Sequence, residues 1–205
     1  MSMKRELKRK ALHLTGLIVP AVYIFSDKTF TLTFIGVAML VFLILEPFRI
    51  VEAFRDKIKK ILRIYVQDEV ISTLEKNIDE ITREEERSGI AAHIYFTAAA
   101  FIVVYFFPKN IAIGAIAVAT IGDAMAAIIG KTFGKHRFAN GKSVEGSCAY
   151  FLSALVILLS LMDLSHALMG AIAGMLAEFY DLPPDDNFSN QLAIGLVLYI
   201  FGLIT

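Results

Sequence analysis

The chain has 205 residues, 57% of them hydrophobic, with no tryptophan, one cysteine and a formal net charge of zero. The lone Cys148 excludes an internal disulfide framework and a cysteine-rich metal centre, and a balanced charge offers no reason to expect a nucleic-acid partner. A mean hydropathy of +0.64 is high for a soluble domain, and the apolar residues gather into long runs instead of spreading periodically.

In chain order, the first run is Ala11–Phe25, after "MSMKRELKRK". It has the look of a signal peptide, but no small-residue cleavage site follows it and further runs do, so it reads as a retained anchor. Phe30–Leu45 is the second run, and Ile90–Phe107, Ile111–Gly130, Val144–Met162, His166–Tyr180 and Asn190–Thr205 follow. The expectation is an all-α integral membrane protein of about seven transmembrane helices, several shorter than the ideal twenty residues. It reads as a single membrane-embedded catalytic domain, 1–205, with a cytoplasmic or interfacial helical insertion at 48–88.

Lysines and arginines alternate sharply between the two sides of such a bundle, eighteen on one and only Lys28 and Lys109 on the other. The positive-inside rule then predicts a cytoplasmic N-terminus. In the insertion, Ile50, Phe54, Ile58, Ile61 and Tyr65 recur at helical spacing among basic residues, the pattern of a helix lying on an anionic membrane surface. Val70, Leu74, Ile78 and Ile81 repeat the spacing in a more acidic half.

Ionisable residues inside apolar runs are costly and mark candidate sites. Asp123 is the deepest, seven residues before Gly130 and so roughly 10 Å along a helix from that end. Ala119, Ala126 or Ala127, and Gly130 share its face, a small-residue strip suited to close helix approach. Gly170, Gly174 and Glu178 repeat the device at a spacing of four, for packing within the chain or against a second copy in a homo-oligomer. His13 and His93 lie near the same membrane face, as do "TREEERSG" (82–89), "GKTFGKHRFANGKSVEGS" (130–147) and "LPPDDN" (182–187). Singly these have plain readings: a solvated helix face for Glu84–Glu86, turn chemistry for the proline-rich loop, topology for the lysines. Together they predict one site facing the cytoplasm.

Glycine-punctuated lysines suit phosphate, and carboxylates nearby suit Mg²⁺ held jointly with substrate phosphates. The "NGKS" stretch is not a P-loop, because His136 stands where that motif needs glycine. These residues suggest a membrane enzyme that brings a metal–nucleotide or metal–diphosphate together with a lipid.

The stretch "GDAMAAIIGKTFGKHRFANGKSVEGSCAYF" resembles the core motif of the dolichol kinase, phytol kinase and CTP-dependent diacylglycerol kinase family. "RKALHL", "TREEERSGIAAHIYF" and "EFYDLPPDDNFSNQLAIG" fit the same family. The resemblance implies transfer of phosphate from CTP, with Mg²⁺, to a lipid alcohol of polyprenol or dolichol type, or of diacylglycerol type. It implies that Asp123, Glu178, Asp185 and Asp186 serve the metal or the lipid hydroxyl, with His13 and Glu84–Glu86 contributing. Lys131, Lys135, Lys142 and Ser143 would hold the CTP phosphates, Gly130, Gly134 and Gly146 would permit close backbone approach, and Glu145 would orient a lysine or a metal-bound water. A looser similarity to CDP-diacylglycerol synthases makes cytidylyl transfer to a lipid phosphate the alternative, although "PPDDN" stands where that family carries a different C-terminal cluster. A small transporter or scaffold is the third reading.

Overall fold

The computed structural model describes residues 3–50, 56, 59–73 and 90–205. Within them lie α1 (Met3–Leu14), a 3₁₀ turn (Thr15–Leu17), α2 (Ile18–Phe25), α3 (Lys28–Ile50), α4 (Ala92–Phe106), α5 (Lys109–Phe133), α6 (Val144–Leu159), α7 (Leu164–Tyr180) and α8 (Asp186–Ile204). No strand occurs among the described residues; the single β-bridge pairs Arg137 with Ser143. The fold is all-α, as expected.

Among the described residues, three helices are long and apolar enough to cross a bilayer: Lys28–Glu46, Lys109–Phe133 and Asp186–Ile204. Nineteen residues of helix, the shorter length among these, reach about 29 Å, close to the hydrocarbon thickness. Every expected span coincides with a helix, but Ala92–Phe106 and Val144–Leu159 fall short of that length. The first run is also interrupted, because the 3₁₀ turn at Thr15–Leu17 separates α1 from α2. The last helix begins at Asp186, several residues before the predicted start.

α5 is the axis of the bundle and touches α1, α2, α4, α6, α7 and α8. Small residues make this possible. Ala112, Ala115 and Ala119 are buried with almost no exposure, as are Ala99 and Ala100 on α4, and with so little side chain between them the backbones pack closely. Tyr150 of α6 is fully buried, its ring wedged between Gly122 of α5 and Gly174 of α7. A Cβ at either glycine would come within 2.9 Å of it. Gly170 plays the same part against Leu158 and Leu198. The four-residue spacing on α7 is thus used inside this chain. α3 is the opposite case, with only 11% of its apolar window buried and Val37, Leu40, Val41 and Ile44 exposed along it.

The end of the bundle that holds Lys28, Lys109 and Asp163 uses its charges to close helix ends. Lys28 Nζ donates to the Tyr105 carbonyl at 2.6 Å, and Lys109 Nζ to the Ser26 carbonyl at 3.0 Å. Asp163 caps α7, accepting from the Ser165 and His166 amides. These bonds satisfy terminal backbone groups that have no partner within their helix. In the insertion, residues 59–62 and 68–73 are helical on either side of a turn, and Arg63 pairs with Asp68 at 2.9 Å. Ile61, Tyr65 and Val70 are exposed there; of the rest of the expected amphipathic stripe, Phe54, Ile58, Leu74, Ile78 and Ile81 lie outside the described residues.

Gly174→Leu drives a side chain into the Tyr150 ring, and overpacking of this kind costs about 1–3 kcal/mol. The expected result is a lower unfolding temperature in detergent, while Leu203→Ala on the exposed flank of α8 leaves it unchanged. Equal midpoints for the two variants would show that Tyr150 is not the wedge.

Candidate functional site

Lys10 enters the bundle on α1 with 2% of its side chain exposed and donates a hydrogen bond to Asp123 Oδ2. An unpaired carboxylate at this depth would be very costly, and the ammonium group removes most of that cost. One turn further along α1, His13 Nε2 lies 3.4 Å from the same oxygen. That separation is long for a hydrogen bond, and Nε2 has no other partner among the described residues.

A second ion pair closes the site from the loop between α5 and α6. Lys142 Nζ donates to Glu178 Oε1 at 2.6 Å and lies 2.9 Å from Asp181 Oδ1. Burial pulls the Lys142 amine down, but the Glu178 and Asp181 carboxylates outweigh it and raise its pKa above the ordinary lysine value. The loop is bound firmly to the bundle. Arg137 donates to the Gly130 and Gly141 carbonyls, each at 3.1 Å, and Asn140 donates to the Phe179 carbonyl at 2.9 Å. Gly141, at φ +83°, turns the chain back so that Phe138 N–H reaches the Lys142 carbonyl at 2.8 Å.

Between these pairs lies a cavity of about 610 Å³. It is walled by five cations (Arg9, Lys10, Lys131, Arg137 and Lys142) and five carboxylates (Asp123, Glu178, Asp181, Asp185 and Asp186). The N-termini of α6 and α8 border it too, through Ser143 and Gly146 and through Asp185 and Asp186. Helix N-termini favour anions.

The structure brings together Asp123, Gly130, Lys131, Lys142, Ser143, Gly146, Glu178, Asp185 and Asp186 around this one cavity, and His13 touches it through Asp123. Other expected residues have different roles. Lys135 is exposed and is not part of the wall. Glu145 turns to His136, accepting at 2.8 Å from its ring and at 3.3 Å from its amide, and so braces the loop. Ser143 Oγ caps α6, accepting from the Gly146 amide at 3.1 Å. Gly134 and Gly146 let backbone meet backbone: a Cβ would lie 2.1 Å from the Gly130 carbonyl in the first case and 2.9 Å from that of Ala126 in the second. Glu84–Glu86 lie outside the described residues.

Asp185 serves twice. It caps α8, accepting from the Asn187 amide at 2.9 Å, and it faces the cavity. The Asn187 side chain donates to both Asp185 and Asp186 at 2.9 Å, and Gln191 holds Asn187 in turn through its carbonyl. Among the described residues, no three His, Cys, Asp or Glu side chains converge closely enough to hold a metal unaided. Mg²⁺ does not need such a cage, since it is commonly held by one or two carboxylates together with substrate phosphates. The mixed walls fit an ion that arrives on a polyphosphate.

Sequence reasoning missed Lys10 as the Asp123 partner, and missed Arg9, Arg137 and Asp181 as walls. A signal existed for the first two: Arg9 and Lys10 precede His13 by four and three residues, which places all three on neighbouring parts of one helix face.

No family model matches the chain, and no solved structure does. Over 211 aligned residues it is 28% identical to an uncharacterized protein of Rickettsia prowazekii (strain Madrid E), covering 97% of this chain and 96% of the relative.

Removing one partner of a buried ion pair leaves an uncompensated charge and costs about 3–5 kcal/mol. Lys10→Met and Asp123→Asn should each lower the unfolding midpoint strongly, and the double variant should lose much less than the sum. Strict additivity would show that the pair does not couple α1 to α5. A raised folded-state pKa gives stability that is fully present below the unfolded lysine value, about 10.4, and is lost as pH rises through the higher folded value. The midpoint difference between wild type and Lys142→Met should thus hold steady from neutral pH to that point and shrink only above it.

Proposed function

We propose that this protein is a CTP-dependent kinase of lipid alcohols, working at the cytoplasmic face of the membrane. The observation that carries the reading is the cavity itself: paired cations and carboxylates with two helix N-termini, built at one end of an apolar bundle. A triphosphate and its counter-ion need that mixture, and an apolar bundle gives access to a lipid. The choice of CTP as donor, and of a polyprenol- or dolichol-like acceptor, comes from the resemblance of the Gly122–Ser147 stretch to that kinase family. In this reading all seven apolar runs cross or enter the bilayer, with the shorter helices shielded inside the bundle and the N-terminus in the cytoplasm.

Lys131, Lys142, Arg137 and Arg9 would neutralise the phosphates, as phosphoryl transfer demands. Mg²⁺, held by Asp185 and Asp186 with the phosphates, would supply further charge neutralisation. The lipid hydroxyl oxygen forms a bond to the γ-phosphorus, the bond from that phosphorus to the bridging β–γ oxygen breaks, and CDP leaves. The hydroxyl proton passes to the Asp123–His13 pair, whose facing atoms are 3.4 Å apart.

The test uses purified protein in detergent with Mg²⁺, mixed isoprenoid alcohols and diacylglycerols, and CTP labelled at the α- or the γ-phosphate. γ-Label entering an alcohol is the expected result. α-Label entering lipid when phosphorylated lipids are supplied would replace the reading with cytidylyl transfer. Lys142→Met should lower kcat/KM by about 10²–10³-fold, the usual loss when one preorganised charge contact to a transition state is removed.

A further inference from the structure

Beside the charged cavity runs a second recess of about 340 Å³, between the α1–α2 junction, α3 and α4. Its α3 wall is the stripe Phe34, Ala38 and Phe42, one face of the helix at a spacing of four. The opposite wall is Phe96 of α4, with Gly16 beneath it. The fit there is tight, since a Cβ on Gly16 would lie 2.6 Å from the Phe96 ring. Leu12 and Ile18 form an exposed apolar rim, 57% and 53% accessible, on the part of the bundle where α3 also presents Val37, Leu40 and Ile44 outward.

The inner end of the recess is polar. His13 and Asn187 stand there, and Arg9 belongs to this recess and to the charged cavity alike. His13 Nε2 is buried with no hydrogen bond among the described residues, Asp123 Oδ2 lying 3.4 Å away, and Asn187 is the residue that holds Asp185 and Asp186. A recess with apolar walls, a rim open to hydrocarbon and a polar inner end is matched to an amphiphile with a small head.

We propose that this groove seats the hydrocarbon chain of a single-chain primary alcohol, with its hydroxyl at His13 Nε2, where groove and cavity meet. The proposal rests on the lipid-kinase reading and adds to it the place and the number of chains. Volume decides the number. At about 340 Å³ the groove lies at the lower end of the range of small-molecule sites, about 300–1,000 Å³. That suffices for the head end of one chain and is too little for a glycerol backbone with two. The walls are closely packed as well: the Phe42 and His93 ring centroids lie 4.5 Å apart in contact with each other, and those of His13 and Phe96 6.0 Å apart.

The experiment places the full chain in phosphatidylcholine vesicles without nucleotide. A single-chain isoprenoid alcohol carrying a diazirine near its hydroxyl end is photolysed there, and the labelled residues are mapped by mass spectrometry. Label is expected on the Phe34, Ala38, Phe42 and Phe96 peptides, displaced by unlabelled single-chain alcohol and not by diacylglycerol. Ala38→Phe fills the groove and should cut groove labelling on the order of tenfold, the effect of denying burial to about two methylenes. Ile44→Phe, on the outward face of the same helix, should leave it unchanged. Label spread evenly over outward-facing residues, or equal displacement by diacylglycerol, would overturn the proposal, and both are read on the unmutated protein should Ala38→Phe not fold. Groove labelling without γ-phosphate transfer would sink the kinase reading and leave the groove; transfer with label elsewhere would sink the groove alone.

Discussion

The bond between Lys10 and Asp123 is the constraint on which the rest of the molecule depends. A lone ammonium or carboxylate at that position would face a desolvation penalty of several kcal/mol, so neither residue is tolerable without the other. Their pairing fixes α1 against α5, and with α1 come Arg9, which lines both recesses, and His13, which lines the apolar one. Buried ion pairs are weak sources of stability compared with well-packed apolar residues. A pair kept at such a cost, at the edge of a large charged cavity, is better understood as the framework of a site than as a fastening.

The two ends of the bundle put similar residues to different uses. At one end, Lys28, Lys109 and Asp163 close helix termini. At the other, capping and cavity-building coincide: Asp185 and Ser143 satisfy helix N-termini while facing open space. The Lys142–Glu178 pair holds the α5–α6 loop over that space, and the proposed reaction joins a charged substrate from one side with an apolar one from the other.

Much of this was legible in the sequence because membranes make rules simple. Apolar runs marked the helices, and the four-residue glycine spacing on α7 marked a packing face that Tyr150 now occupies. One-sided charge marked the end that carries the cavity. Partner choice was not legible. Periodicity places Asp123 on a face but cannot say that a residue 113 positions away will meet it, and glycines that suit phosphate also suit helix contact, as Gly134 and Gly146 do. The surroundings of Glu145 and Lys135 were hidden for a related reason. Their spacing within the loop was informative, while the hairpin formed by residues 134–143, which turns one to His136 and leaves the other exposed, follows from Gly141 and from backbone bonds that residue types do not reveal.

The separation of Lys10 from Asp123 also bears on how the protein is made. Synthesis proceeds at about 5–20 residues per second, so the 113 intervening positions delay the partner by roughly 6 to 20 s. Through that interval the ammonium group of α1 lacks its carboxylate, and its flexible stem can keep the charge in water until Asp123 is in place. The first helix therefore settles fully only once the fifth arrives, and the cavity is completed late in biogenesis, by an element that was made early.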